Sequence, residues 1–307
     1  ALTFAGQTWS FAQLHEGSSR IAQALRAEGV GPADRVALLT KNCAECFELM
    51  FACSKIGAIL AGLNWRLSAR EIAAIVADAA PKVLVVSAEA EALLQDLPVE
   101  VAAGMRIVRL GAYYDAWRAA VLPEDPGHEG TSEEVALLLY TSGTTGLPKG
   151  VMLTFDNLVV SAVNGNLFDK LGPDEEVVAY LPLAWVGDHV FSYAQPFTAG
   201  FCVNCPESPD TAIEDRREIG TTFAFAPPRV FEAMRPYFEE DGIALEWQAA
   251  DRWLARGELF RDLPCASLDR VSGRDVDSWL PRAPVARTVR RLQQEMQMLL
   301  YTHPANE

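Results

Sequence analysis

No run of about 18 consecutive apolar residues occurs in the 307-residue chain, so no transmembrane helix is expected. The opening residues, Ala1 to Gly6, carry neither a charged n-region nor an apolar h-region, so no secretory signal is expected either. Positive charge is scarce: 26 Lys and Arg stand against 41 Asp and Glu, a formal net charge of −15. Phosphate backbones demand basic patches, so the balance argues against nucleic acid as a partner. Lysine is the scarcest cation, with Lys41, Lys55, Lys82, Lys149 and Lys170 its only occurrences. Nothing in the placement of the six cysteines suggests a disulfide framework, and a reducing, cytoplasmic setting is expected, with peripheral membrane contact left open. Two pairs, Cys43/Cys46 and Cys202/Cys205, have the Cys-x-x-Cys spacing that in a cytosolic chain signals zinc or redox chemistry. The plainer reading places Cys43, Cys46, Met50 and Cys53 on one helical face as buried small hydrophobes.

Apolar residues, by contrast, make up 50% of the chain, enough for one large domain or two ordinary ones. Residues 3–9 read as a short hairpin. Ser10 with Gln13, and Ser68 with Glu71, form capping boxes for two helices. Phe11, Leu14, Ile21 and Leu25 are expected to line the inner face of the first, and Asn42 to open another helix. Residues 35–40, 58–63, 82–87, 177–181, 201–204 and 222–225 read as strands. Strands alternating with helices mean α/β architecture. The expected divisions are 1–122 for a first α/β part, 123–134 for an acidic Pro/Gly linker, 135–243 for a second α/β part, and 244–307 for a tail. The tail holds nine Arg, no Lys and three of the seven Trp, and reads as mostly helical, with helices over 247–259 and from Pro284 onward.

One stretch stands apart. Residues 135–140 are a continuous core-like run, read as a strand buried on both faces. Directly after it come Thr141, Ser142, Gly143, Thr144, Thr145, Gly146, Pro148, Lys149 and Gly150. The glycines let the backbone turn and approach a ligand closely. Backbone N–H groups in such a loop form an anion-binding concavity, the hydroxyls add donors, and Lys149 offers a point charge for phosphate oxygens. The residues thus predict a polyphosphate cradle. They do not form a P-loop of the NTPase kind, because the position five after Gly143 is Pro148 and Lys149 is followed by Gly150. That spacing also disfavours a kinase or P-loop ATPase.

Residues 140–151 resemble the phosphate-binding signature of the adenylate-forming (AMP-binding) superfamily, which includes acyl-CoA synthetases, luciferases and the adenylation domains of peptide synthetases. The resemblance runs over roughly residues 3–240. Residues 181–189 and 223–231 resemble the long-chain fatty acyl-CoA synthetase branch. The fold it implies is the N-terminal portion of the adenylate-forming enzyme fold, stacked βαβ sheets, incomplete. The activity it implies is acid–thiol ligation: a carboxylate attacks the α-phosphate of MgATP, pyrophosphate leaves, and the acyl-adenylate reacts with the thiol of coenzyme A. By matching positions, Thr141, Ser142, Gly143, Thr144, Thr145, Gly146 and Lys149 would hold the β- and γ-phosphates. Lys149 would act catalytically by neutralising charge, and Thr141 would help hold Mg2+. Trp185 would be a wall or gate of the acyl channel, His189 a carboxylate partner, and Arg229 the residue able to meet an anion. Core packing for Trp185 and a satisfied polar role for His189 stay open beside these. Phe155 stands where many relatives carry His.

The resemblance implies more than this chain contains. No Tyr-Gly-x-Thr-Glu for adenine and magnesium, no Tyr-Arg-Thr-Gly-Asp for ribose, no hinge and no C-terminal catalytic lysine occur in it. The tail, 244–307, is expected to lie outside the family, with a faint resemblance to bacterial phosphoglycerate-mutase-like proteins at 298–304. The expectation is a fatty acid–CoA ligase, truncated or chimeric, acting on small molecules (ATP, fatty acid, coenzyme A). The alternative is a non-catalytic nucleotide-binding module that keeps the phosphate loop.

Overall fold

In the computed structural model, which describes residues 1–141, 148–208, 210–224, 236, 239–240, 242–249 and 252–258, the chain opens with an antiparallel hairpin of β1 (Leu2–Phe4) and β2 (Gln7–Trp9). Ser10 then caps α1 (Phe11–Ala27): its hydroxyl accepts from the Gln13 backbone N–H, and its own N–H donates to the Gln13 side chain at 2.8 Å. That closes two of the donors a helix start leaves open. Leu14, Ile21 and Leu25 are buried, as expected, but Phe11 is 45% exposed. Phe11 heads the first turn, before the inner stripe begins, and packs edge-to-face with Phe197, ring centroids 5.6 Å apart.

Next come β3 (Arg35–Leu39), α2 (Ala44–Ser54), β4 (Ile59–Gly62), α3 (Ala69–Ala79) and β5 (Val83–Val86). A 3-10 helix at Ala88–Leu94, α4 (Val99–Ala103), β6 (Arg106–Arg109) and α5 (Ala112–Ala119) follow. Helical crossovers return the chain in one direction, so β3 to β6 pair in parallel. All four residues of β5 are fully buried, as in a strand covered on both faces. Leu39, Leu63, Ile72, Val76, Leu84 and Val86 share one core cluster. The Ser68/Glu71 capping box of α3 is present. Asn42 does not open α2: Cys43 is the N-cap, without a side-chain bond, and the Asn42 amide donates instead to Asp188 Oδ1 at 3.1 Å. Inside α2, the 3% exposed Glu48 accepts from Arg118 at 2.7 and 2.8 Å. Burial raises its carboxyl above the usual range, while Arg118 pulls it back down.

β7 (Val135–Thr141) and β8 (Lys149–Thr154) complete a six-stranded sheet in the order β6-β5-β3-β4-β7-β8. β7 runs parallel to β4 and antiparallel to β8, which forms the edge. The sequence reading did not anticipate β8. Thr154 caps α6 (Phe155–Asp169) in a third capping box, with Asn157. After β9 (Glu176–Val178) come α7 (Val186–Asp188), a π-helix at His189–Ala194, α8 (Gln195–Ala199) and β10 (Cys202–Asn204). These strands join the first hairpin in a second sheet, ordered β2-β1-β10-β9.

The chain separates into two units, Ala1–Asp215 and Arg216–Glu307, with α9 (Ala212–Ile219) spanning the division. Both sheets above belong to the first. Residues 222–224, expected as strand, are irregular. In the second unit, β11 (Ala244–Ala249) and β12 (Arg252–Arg256) form an antiparallel hairpin, with an ion pair from Arg256 to Glu246 at 3.0 Å. The helix expected over 247–259 is therefore a correction. The register opposes Trp247 and Trp253, and aromatic residues favour strands when a partner strand lies alongside. The helices expected near Pro228 and after Pro284 lie outside the described residues.

Candidate functional site

The phosphate-loop signature is the connection between β7 and β8. The register sets Thr141 opposite Lys149 and Tyr140 opposite Gly150. Directly opposed residues of an antiparallel pair project from the same face, with Cβ atoms about 5 Å apart. Both Thr141 and Lys149 are exposed. A hydroxyl and an ammonium thus stand side by side where the loop begins and ends. Two contacts hold this mouth in place. The Tyr140 hydroxyl donates to Asp78 Oδ2 on α3 at 2.5 Å, and burial together with that carboxylate raises the phenol pKa. Gly150 leaves room for the Tyr140 ring: an added Cβ would lie 3.4 Å from it and 2.9 Å from Leu138. Ser142, Gly143, Thr144, Thr145 and Gly146 lie outside the described residues, as does Arg229.

A crevice opens where strands of both sheets end. Lys41 and Asn42 follow β3, Trp65 and Arg66 follow β4, Tyr180 follows β9, and Glu207 follows β10. The carboxyl ends of parallel strands are where open α/β sheets bind ligands. Lys41 Nζ and Arg66 Cζ lie 5.3 and 4.5 Å from the centroid of the Trp65 ring. Two cations against one indole ring, in a chain of net charge −15, mark this crevice as anion-seeking. Sequence reasoning missed these three residues. Their position directly after predicted strands was the available signal.

The segment 181–189 reaches that crevice at Pro182. Trp185 is 41% exposed, and its backbone is pinned by bonds from its N–H to Pro182 O at 2.9 Å and from Asp188 N–H to its own carbonyl at 3.1 Å. His189 points the other way. It is fully buried, and its Nε2 donates to the Leu183 carbonyl at 2.7 Å. Burial lowers its pKa to about 4, so the ring is neutral, with Nδ1 meeting no partner among the described residues. Asp188 is also fully buried. Its Oδ1 accepts from Asn42 and from Ser192 at 3.0 Å, while its Oδ2 has no partner among the described residues. Burial pushes this carboxyl up to about 7. Tyr193 stacks on Phe47 at 4.1 Å below them. These groups lie on or beside a π-helix, a rare element that is frequent at functional sites. The structure therefore brings Thr141 and Lys149 together, leaves Trp185 open to solvent, and withdraws His189 into the interior.

The model of the family described as AMP-binding enzyme matches residues 1–296, and the chain belongs to that family. The match runs well past residue 240, which corrects the expectation that residues 244–307 lie outside the family. Among curated relatives, the chain is 43% identical over 149 residues to a fatty acid–[acyl-carrier-protein] ligase of Streptomyces coeruleorubidus, covering 48% of this chain and 28% of that protein. It is 30% identical over 250 residues to a long-chain-fatty-acid–CoA ligase of Thermus thermophilus, covering 77% of this chain and 45% of the relative. The chain thus spans less than half the length of these relatives. In fold it is similar to a fatty acyl CoA synthetase of Mycobacterium tuberculosis, with a TM-score of 0.68 at 22% identity over 78% of this chain and 49% of the other. ATP-bound MatB from Rhodopseudomonas palustris also scores 0.68, at 24% identity over 76% and 47%. No helix among the described residues is long and apolar enough to cross a membrane.

Proposed function

We propose that this chain supplies the ATP-phosphate site and one wall of the acyl site of an adenylate-forming fatty acid ligase. The observation that carries the reading is the pairing of Thr141 with Lys149 across the mouth of a glycine- and threonine-rich loop. Lys149 would neutralise charge on the β- and γ-phosphates, while Ser142 to Gly146 donate N–H and O–H groups around them. Neutralising and orienting the leaving pyrophosphate leaves the α-phosphate open to in-line attack by the fatty acid carboxylate. Mg2+, where bound, supplies further charge neutralisation. The exposed Thr141 hydroxyl is a hard oxygen donor suited to it, with phosphate oxygens completing the shell. Trp185 would form the wall or gate of the acyl channel, and Arg229 would meet an anionic group. His189, neutral and committed to Leu183, would act by holding the loop that carries Trp185. The Lys41–Trp65–Arg66 crevice suits a phosphate-bearing group with an aromatic ring, as in the nucleotide part of coenzyme A. The chain length of the acid and the thiol acceptor, coenzyme A or a carrier protein, follow from the relatives by analogy alone.

Calorimetry with MgATP, paired with pyrophosphate exchange in the presence of a long-chain fatty acid, tests this reading. Lys149→Ala should weaken ATP binding by about 10- to 100-fold, the value of one charge-assisted bond of about 1.5–3 kcal/mol. Unchanged affinity would remove Lys149 from the site. Binding without exchange would favour a non-catalytic nucleotide-binding role for this chain.

A further inference from the structure

The Cys43/Cys46 pair has no part in the reading above, yet its geometry is specific. Cys43 is the N-cap of α2 and Cys46 lies in the first turn, with the two Sγ atoms 3.4 Å apart. The two sulfurs are already in contact, and a disulfide of about 2.05 Å would bring them little more than an ångström closer. The pair follows β3 and opens the crossover helix to the parallel β4, the βαβ setting in which Cys-x-x-Cys does dithiol chemistry. The second pair differs. Cys202 lies on β10 and Cys205 just beyond it, where alternate residues face opposite ways, and the Cys202 thiol lies 4.0 Å from Thr3 Oγ1.

We propose that Cys43 and Cys46 form a redox-active dithiol that closes reversibly to a disulfide in the folded chain. The oxidant is a small-molecule disulfide. The Cys43 thiolate, 8% exposed against 0% for Cys46, attacks one of its sulfurs and expels a small thiolate, which takes up the Cys43 proton. The Cys46 thiolate then attacks Cys43 Sγ and expels the second small thiolate, which takes up the Cys46 proton. Two protein thiols are oxidised and one small disulfide is reduced to two thiols. Contact between the sulfurs favours the second step, because the resolving thiol is already in place. The hydrogen bond with Cys46, together with burial, raises the Cys43 thiol pKa, so the first step is the slow one. Asn42, one residue before Cys43, lines the crevice and donates to Asp188, so closure of the disulfide would act next to a crevice residue.

The test is thiol mapping on the folded 307-residue chain. The protein is equilibrated in glutathione buffers from fully reduced to fully oxidised, quenched with acid, alkylated with N-ethylmaleimide and digested with trypsin. Cleavage after Lys41 and Lys55 yields one peptide holding Cys43, Cys46 and Cys53. In oxidising buffer two of its three alkylatable thiols should be lost, with the mass of two hydrogens missing, Cys53 still alkylated, and Cys202 and Cys205 alkylated as well. In Cys46→Ser, Cys43 should instead retain a mixed disulfide with glutathione. All three thiols remaining alkylated in oxidising buffer while the urea-unfolded chain oxidises would overturn the proposal. So would a glutathione adduct that persists on Cys43 in the unsubstituted chain, since it would mean that Cys46 does not resolve it.

Discussion

Replacing Asp188 by Asn should make the protein more stable at pH 8 and less stable at pH 4. The carboxyl is fully buried and its pKa is raised from 3.8 to about 7, chiefly by loss of solvation, with the bonds from Ser192 and Asn42 opposing. A carboxyl whose folded pKa lies above its unfolded value binds its proton more tightly in the fold. It therefore costs nothing below pH 3.8, costs progressively more as pH rises, and reaches its full cost above about 7, at about 4 kcal/mol. Asn keeps an oxygen to accept from Asn42 and Ser192 but places an N–H2 where Oδ2 now lacks a partner, at about 1–3 kcal/mol. The net expectation is a gain of roughly 1–3 kcal/mol at pH 8 and a loss of similar size at pH 4. His189 complicates any single pH curve. Its pKa falls from 6.5 to about 4 on folding, so stability it contributes above 6.5 is lost as pH falls, about 3 kcal/mol in the opposite sense. The two slopes nearly cancel in the unsubstituted chain. The difference between the two proteins isolates Asp188, because His189 is common to both. Urea unfolding at half-unit steps from pH 4 to 8 measures it. A stability difference that stays flat across that range would refute the reasoning, because Asp188 would then titrate as if solvated.

Other substitutions probe the frame around the site. Gly62→Ala should destabilise by about 1–3 kcal/mol, because the new methyl would lie 2.4 Å from the Leu183 carbonyl oxygen, a backbone atom with no flexible end to swing aside; undiminished stability in urea would mean that β4 does not support that loop. Arg118→Ala should cost about 3–5 kcal/mol at pH 8 by leaving Glu48 buried without its partner. The loss should shrink towards pH 4 as Glu48 takes up a proton, and a pH-independent loss would assign the effect to packing instead.

What could be read from residues alone was local. The Ser10/Gln13 and Ser68/Glu71 boxes depend on four consecutive positions and appear as expected. The apolar run of β5 announces burial on both faces by composition. Asn42 shows where such reading fails. Its type suits an N-cap, but its amide is taken by Asp188, 146 positions later in the chain, and nothing near residue 42 signals that. β8 is a second case, since an exposed edge strand with Lys149, Gly150 and Val151 lacks a buried pattern and exists through pairing with β7. The β11–β12 hairpin is a third. The spacing of apolar residues there fits a helix as well as a strand, and cross-strand pairing decides the matter. At the candidate site, the family signature over 140–151 was legible by residue type. The burial of His189 and the cations around Trp65 were not, because both depend on segments distant in sequence.

Those distant segments meet at one point. Gly62, the last residue of β4, pairs in register with Leu139 of β7 and lies against the Leu183 carbonyl. Leu139 is two residues before Thr141, about 7 Å along the strand, and Leu183 is two residues before Trp185. The end of β4 therefore sets both where the phosphate loop starts and where the Trp185 loop stands. A residue with a side chain at position 62 would push the Leu183 carbonyl away, and with it the acceptor that His189 holds at 2.7 Å. Two segments that share one rigid strand end cannot drift apart without breaking the β4–β7 ladder. The spacing between the proposed phosphate site at Thr141 and Lys149 and the proposed acyl wall at Trp185 is thus a property of the sheet rather than of either loop, and catalysis by positioning needs its reactants held in that way.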